Sequence, residues 1–157
     1  CFETHASGEG LAKRLAAALA SRSKYIGPLA DKPNPTAHDL FAAYETGDEI
    51  AREVLAEAIE FWGMAAANLV SLFNPQKIIL GGGVFGPATQ FIDTIYEEAR
   101  RWAQPIAIQR VSFEPAQLGP DAGLYGAGFL ALESQHQLYP DRREGSKATP
   151  DSSLRAE

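Results

Sequence analysis

The sequence predicts an α/β domain in which a sheet packs against helices. Three observations carry this reading. A helical period runs unbroken from Asp48 to Phe73, a short apolar run at Lys77 to Leu80 ends in three glycines, and a second β-rich run occupies Ile106 to Phe113. Helical patterns stand before, between and after the two β-rich runs.

The elements follow in order. Cys1-Phe2-Glu3-Thr4-His5 is polar and predicts an irregular opening. Ser7 suits an N-cap, and Leu11, Leu15, Ala18 and Leu19 then recur at helical spacing over about three turns. Ser21 to Pro35 holds three prolines and a glycine with no period, the pattern of a loop. Thr36 with Asp39 matches a capping box, followed by Leu40, Phe41 and Tyr44 in a short helix closed by Gly47. The long element carries Ile50, Val54, Ala58, Phe61, Ala65, Leu69 and Leu72 on one period over roughly seven turns. Glu49, Arg52, Glu53, Glu57 and Glu60 charge one side of its first half, whereas Phe61 to Ala67 is apolar nearly all round. The first half is therefore expected to face solvent and the second to be buried. Asn74-Pro75 stops it.

Lys77 to Leu80 reads as a buried strand. Pro87 suits the first position of a helix with Phe91, Ile95, Ala99 and Trp102 on one face. A last helix spans Pro120 to Leu132, with small residues Gly123, Gly126, Ala127 and Gly128 on its faces. From Ser134 onward polar residues and proline leave little to bury, which predicts a mobile tail over residues 134–157.

Composition narrows the function. There are 157 residues, 14 basic and 20 acidic, for a formal charge of −6; 45% are hydrophobic and 22% charged. That is one domain's length and an ordinary globular balance. The acidic excess argues against a general nucleic-acid binder, which needs a basic face. No membrane association is expected, because the most apolar stretch, Phe61 to Phe73, is too short for a span and contains Asn68 and Ser71. A single cysteine excludes an internal disulfide and a complete Cys-based zinc site within the chain. No methionine precedes Cys1, so the sequence is expected to begin partway through a longer protein or to have been processed.

Several residues could carry chemistry. Gly81-Gly82-Gly83 after a strand lets backbone approach a ligand and offers amide donors, but it is neither a P-loop nor a G-x-G-x-x-G fingerprint. Taken alone it favours a tight strand-to-helix turn. The small-residue face of the last helix favours close packing, with a passing nucleotide base as the alternative. Cys1, Glu3 and His5 could be metal ligands or a polar pocket, with a frayed terminus favoured by spacing alone. His38 and His136 read as solvated. The Glu49-to-Glu60 carboxylates form a solvated stripe with Arg52 as local partner.

Together these segments resemble a known family. Cys1-Phe2-Glu3-Thr4-His5-Ala6-Ser7-Gly8 resembles the end of the C-x-C-G-x-x-G-C-x-E motif, with its following Ala-Ser-Gly, of the ROK family of repressors, open reading frames and sugar kinases. Leu72 to Val84 is similar to the family's NP-x-x-I-x-x-GGG segment, and Asp121 to Gly128 to its closing helix. The three occur in family order and cover Cys1 to Glu133.

The resemblance implies the C-terminal lobe of an actin-like, ribonuclease-H-like fold, incomplete at its N-terminus. It implies ATP-dependent phosphorylation of a hexose, with Mg²⁺ on the phosphates, in a cytoplasmic and homo-oligomeric enzyme. Gly81, Gly82 and Gly83 match the turn against the adenosine. Glu3 matches the glutamate that accepts hydrogen bonds from sugar hydroxyls. Cys1 matches the last ligand of a structural Zn²⁺ whose partners lie upstream.

The family's Asp-x-Gly-Gly-Thr phosphate loop, catalytic aspartate, second phosphate loop and Glu-x-Gly-His segment precede the cysteine motif and are absent from this sequence. No catalytic residue is therefore assigned, and the chain is expected to be inactive without the missing N-terminal lobe. The alternative is a fragment of a sugar-sensing ROK repressor, which would bind nucleic acid through an upstream helix-turn-helix. The glycine turn favours the kinase. A third reading is an interaction module that uses the apolar half of the long helix.

Overall fold

A computed structural model describes residues 2–138 and divides the chain into two units, Cys1–Ala122 and Gly123–Glu157. The fold class is α/β, as expected. In the first unit six α-helices and a two-stranded parallel sheet come in the order α1 (Phe2–Ala6), α2 (Gly8–Ala20), α3 (Ala37–Glu45), α4 (Glu49–Phe73), β1 (Lys77–Leu80), α5 (Ile92–Trp102), α6 (Pro105–Ile108) and β2 (Ser112–Pro115).

The local signals act where the residues place them. Ser7 Oγ accepts from Gly10 N at 3.0 Å and starts α2. Thr36 and Asp39 cap α3 reciprocally, with Asp39 N donating to Thr36 Oγ1 and Thr36 N to the Asp39 carboxylate. Gly47 takes φ +86° behind that helix. Asp48 Oδ1 caps α4 by accepting from Ala51 N, and Asn74 ends it in the left-handed conformation at φ 44°.

α4 is the spine of the unit. Its Ile50, Val54, Leu55, Ala58 and Trp62 pack with Leu11, Leu15, Leu40, Phe41 and Phe91 in one core. Farther along, Ala66, Ala67 and Val70 join Ile78, Ala99, Ile108 and Val111 in a second. Gly63 brings α5 close, for a Cβ there would stand 2.6 Å from Glu98 Cγ and 3.1 Å from Ala99 N. Strands β1 and β2 pair parallel with Lys77 opposite Ser112 and Leu80 opposite Pro115. Lys77 Nζ reaches Glu114 at 2.7 Å, and α5 provides the crossover that parallel pairing requires.

Several expectations change. The opening is helical, because Phe2–Ala6 forms α1 and stacks its end on α4. The second strand starts later than Ile106. Gln104 caps a short helix by accepting from Ala107 N, Ile108 turns into the core, and pairing begins at Ser112. The second half of α4 is not buried all round, since Leu69, Leu72 and Phe73 are exposed. Buried Ile50, Ala51, Val54, Leu55 and Ala58 show, conversely, that its charged half also lines the core. Strand β1 alternates, with Ile78 buried and Ile79 65% exposed, as one strand of a sheet that is two-stranded among the described residues. Helix α4 also proves long and apolar enough to cross a membrane by length and composition, although its buried residues from Ile50 to Val70 line the two cores.

The first unit ends in a 3-10 turn at Gly119–Asp121 and the first residue of α7, Ala122; the described part of the second unit is the rest of that helix, to Leu138. It passes the expected start of the tail at Ser134, whose Oγ donates to Leu130 O at 2.8 Å. The remainder of the tail lies outside the described residues.

Candidate functional site

The three glycines after β1 serve three different needs. A Cβ at Gly81 would sit 2.8 Å from Ala116 Cβ, so this position is small because the chain end of β2 crosses it. Gly82 adopts φ +89°, which an L side chain resists. Phe85 N then donates to Gly82 O at 3.1 Å and turns the chain toward Pro87. At Gly82 and Gly83 an added Cβ would meet nothing within 4 Å. The tight-turn reading therefore accounts for Gly81 and Gly82, and Gly83 faces open space.

That space is a cavity of about 680 Å³ lined by Gly8, Ala12, Thr36, Phe41, Gly83 and Val84, among others. It has an aromatic wall, small residues and exposed backbone, the lining that receives a flat, largely apolar group. Neither Asp, Glu, Lys nor Arg lines it. His38, read as a solvated residue at a helix start, is exposed but stands at this cavity.

The Ala6-Ser7-Gly8 segment and the glycine turn meet. A Cβ at Gly8 would lie 3.5 Å from Val84 Cγ2. Trp62 joins the two segments from beneath: its Nε1 donates to Ala6 O at 3.0 Å, and its ring lies 5.2 Å from that of Phe85. Sequence reasoning counted Trp62 as one more apolar residue of a helix; the buried indole N–H, which needs an acceptor, was the available signal.

Glu3 is exposed on α1 and is not among the cavity-lining residues. Its neighbour His5 is held tightly, stacked on Phe61 at 4.5 Å and 2.8 Å from Arg14 Nη1. Arg14 Nη2 donates to Glu57. The carboxylate stripe of α4 thus finds its partners on and just after α2, as Arg22 also pairs with Glu53 at 2.6 Å.

Cys1 lies outside the described residues. Among the described residues no group of three or more His, Cys, Asp or Glu is placed to hold a metal. A structural zinc takes four such donors, and Cys1, the residue expected to supply one, is not among the residues described. The open cradle at Gly82 and Gly83 beside the cavity does fit an adenosine moiety.

Against known proteins, the ROK family model matches residues 1–134. A glucokinase of Halalkalibacterium halodurans is 31% identical over 140 residues, covering 88% of this chain and 42% of that protein. A ROK family glucokinase from Streptomyces griseus, solved in complex with glucose and AMPPNP, superposes with a TM-score of 0.71 at 28% identity, covering 85% of this chain and 45% of that one. A ROK family transcriptional regulator, a homolog of the E. coli MLC protein, gives 0.64 at 26% identity over 73% of this chain and 28% of its own. The chain thus spans less than half the length of each of these relatives.

Proposed function

The chain belongs to the ROK family, and from that premise we propose that it is the C-terminal part of an ATP-dependent hexose kinase of glucokinase type. The observation that carries this reading is the cavity of about 680 Å³ beside Gly83, walled by Phe41 and closed by Gly8 and Val84. A flat base can enter it with the Gly82-Gly83 backbone against the ribose. The kinase names of the relatives support the same reading.

In this proposal Gly81, Gly82 and Gly83 form the adenosine turn, and Glu3 accepts hydrogen bonds from sugar hydroxyls. ATP supplies the phosphoryl group transferred to the sugar hydroxyl. No carboxylate lines the cavity, so Mg²⁺ would rest on the phosphates and on groups beyond these residues. Cys1 would complete a structural zinc set contributed mainly by an upstream segment. Residues 1–133 are assigned to the kinase lobe. The intact protein is a cytoplasmic homo-oligomer, and this chain alone is inactive because it carries no candidate base for the sugar hydroxyl.

A coupled assay with ATP and glucose tests this on both the intact protein and the 157-residue chain. Turnover is expected from the first and none from the second. Enzyme-like turnover by the chain alone would overturn the assigned division of labour. The second reading, a sugar-sensing repressor, draws on the matched transcriptional regulator. An intact protein that retains a duplex DNA on a gel, releases it with sugar and shows no turnover would establish that alternative.

A further inference from the structure

Helix α1 has five residues, too few to be stable alone, so its pose is set by what holds it. Trp62 holds its carboxyl end through Ala6 O. Gly10 backs onto it so closely that a Cβ there would lie 2.6 Å from Glu3 O and 2.7 Å from Thr4 O. Arg14, on α2, takes the remaining side: Nη1 meets His5 Nδ1 at 2.8 Å and Nη2 donates to Glu57 on α4. Arginine has donors alone, so His5 Nδ1 is the acceptor in this contact. Arg14 Nε is buried without a hydrogen-bond partner among the described residues. A group that leaves one buried donor unmatched is poorly suited to stability alone, because that donor is desolvated without return.

We propose that Arg14 is a positioning residue for Glu3: by tying His5 of α1 to Glu57 of α4, it sets the rotation of α1 and hence where the Glu3 carboxylate stands. This rests on the reading of Glu3 as the sugar contact. Glu3 lies two residues before His5 on the same helix, so release of the His5 side turns the carboxylate with it. The cavity beside Gly83 is reached from α2, α3 and the glycine turn, and does not include His5, Arg14 or Glu57. The sugar and nucleotide readouts therefore separate.

The test uses the intact protein, glucose and ATP. Arg14→Ala and His5→Phe, which keeps the ring on Phe61 but removes the acceptor, should each raise the glucose KM by about tenfold while the ATP KM stays within about twofold. His5→Asn, whose Oδ1 can replace Nδ1, should restore the glucose KM. Glu3→Gln should raise the glucose KM by itself, and adding Arg14→Ala to it should raise KM little further. An unchanged glucose KM in His5→Phe, alongside a raised one in Glu3→Gln, would overturn the positioning role. Parallel rises in both KM values would do the same. An unchanged glucose KM in Glu3→Gln would instead remove the sugar-contact reading on which the proposal rests.

Discussion

The indole of Trp62 donates to the carbonyl of Ala6 at 3.0 Å, a buried bond between residues 56 apart in sequence. The same ring packs against Phe85, which follows the glycine turn. One side chain on α4 therefore fixes the Ala6-Ser7-Gly8 segment and the glycine turn in a common frame. Trp62→Phe keeps much of the ring packing and removes the donor. It should cost about 1–3 kcal/mol of stability, read as a shift of the urea midpoint with unchanged slope.

Gly63 sets the distance between α4 and α5. Alanine is favoured over glycine in a helix by about 1 kcal/mol. Here its methyl would press on Glu98 Cγ and Cβ at 2.6 and 2.8 Å and on the Ala99 backbone at 3.1 Å. The backbone contact cannot rotate away, so overpacking of about 1–3 kcal/mol should win. Gly63→Ala is expected to lower the melting temperature, and a rise would show that α5 slides freely along α4.

The capping box of α3 makes its stability dependent on acid. The Lys32 ammonium, then the hydroxyl and N–H of Thr36, hold the Asp39 carboxyl well below the usual carboxylate range. A depressed pKa means that the stabilisation is complete above the ordinary aspartate range and is lost as pH falls through the lowered one. Asp39→Ala should cost about 1 kcal/mol at neutral pH. That gap should hold constant between about pH 8 and pH 6 and close only in strong acid. Urea titrations of both proteins across pH check it, and a gap that narrows above about pH 6 would contradict the assignment.

Gly82 carries the positive φ of the turn, at +89°. An alanine there costs about 1–2 kcal/mol of backbone strain. On the proposed function, the strain is relieved by moving the backbone that faces the nucleotide. Gly82→Ala in the intact protein should therefore raise the ATP KM by about five- to tenfold and leave the glucose KM near its original value. Equal effects on both substrates would place the turn away from the nucleotide.

Much of the fold was legible in the residues themselves, because its signals are local. Ser7, the Thr36–Asp39 pair and Asn74 each act within one or two turns of chain, and each acts as read; the Asp48-to-Phe73 period gave the helix but not which of its residues are buried. The glycine turn and the order of the three segments likewise identified the family that residues 1–134 match. What local pattern misjudged was pairing and exposure. Ile106 to Ile108 has strand-forming composition, yet the Gln104 cap and the burial of Ile108 against Val70 and Ala99 make it a turn of helix, so β2 starts at Ser112.

The sequence by itself determined the longer helices, the caps of α2, α3 and α4, the glycine turn and the family, all properties of neighbouring residues or of motif order. The tertiary structure alone decided that Trp62 binds Ala6 and Phe85 together, that Gly83 opens on a cavity reached from α2 and α3, and that Arg14 joins His5 to Glu57. These are contacts between residues far apart along the chain. They arise when burial of apolar faces brings polar groups out of water, and each such group must then find whichever partner the packing has placed beside it.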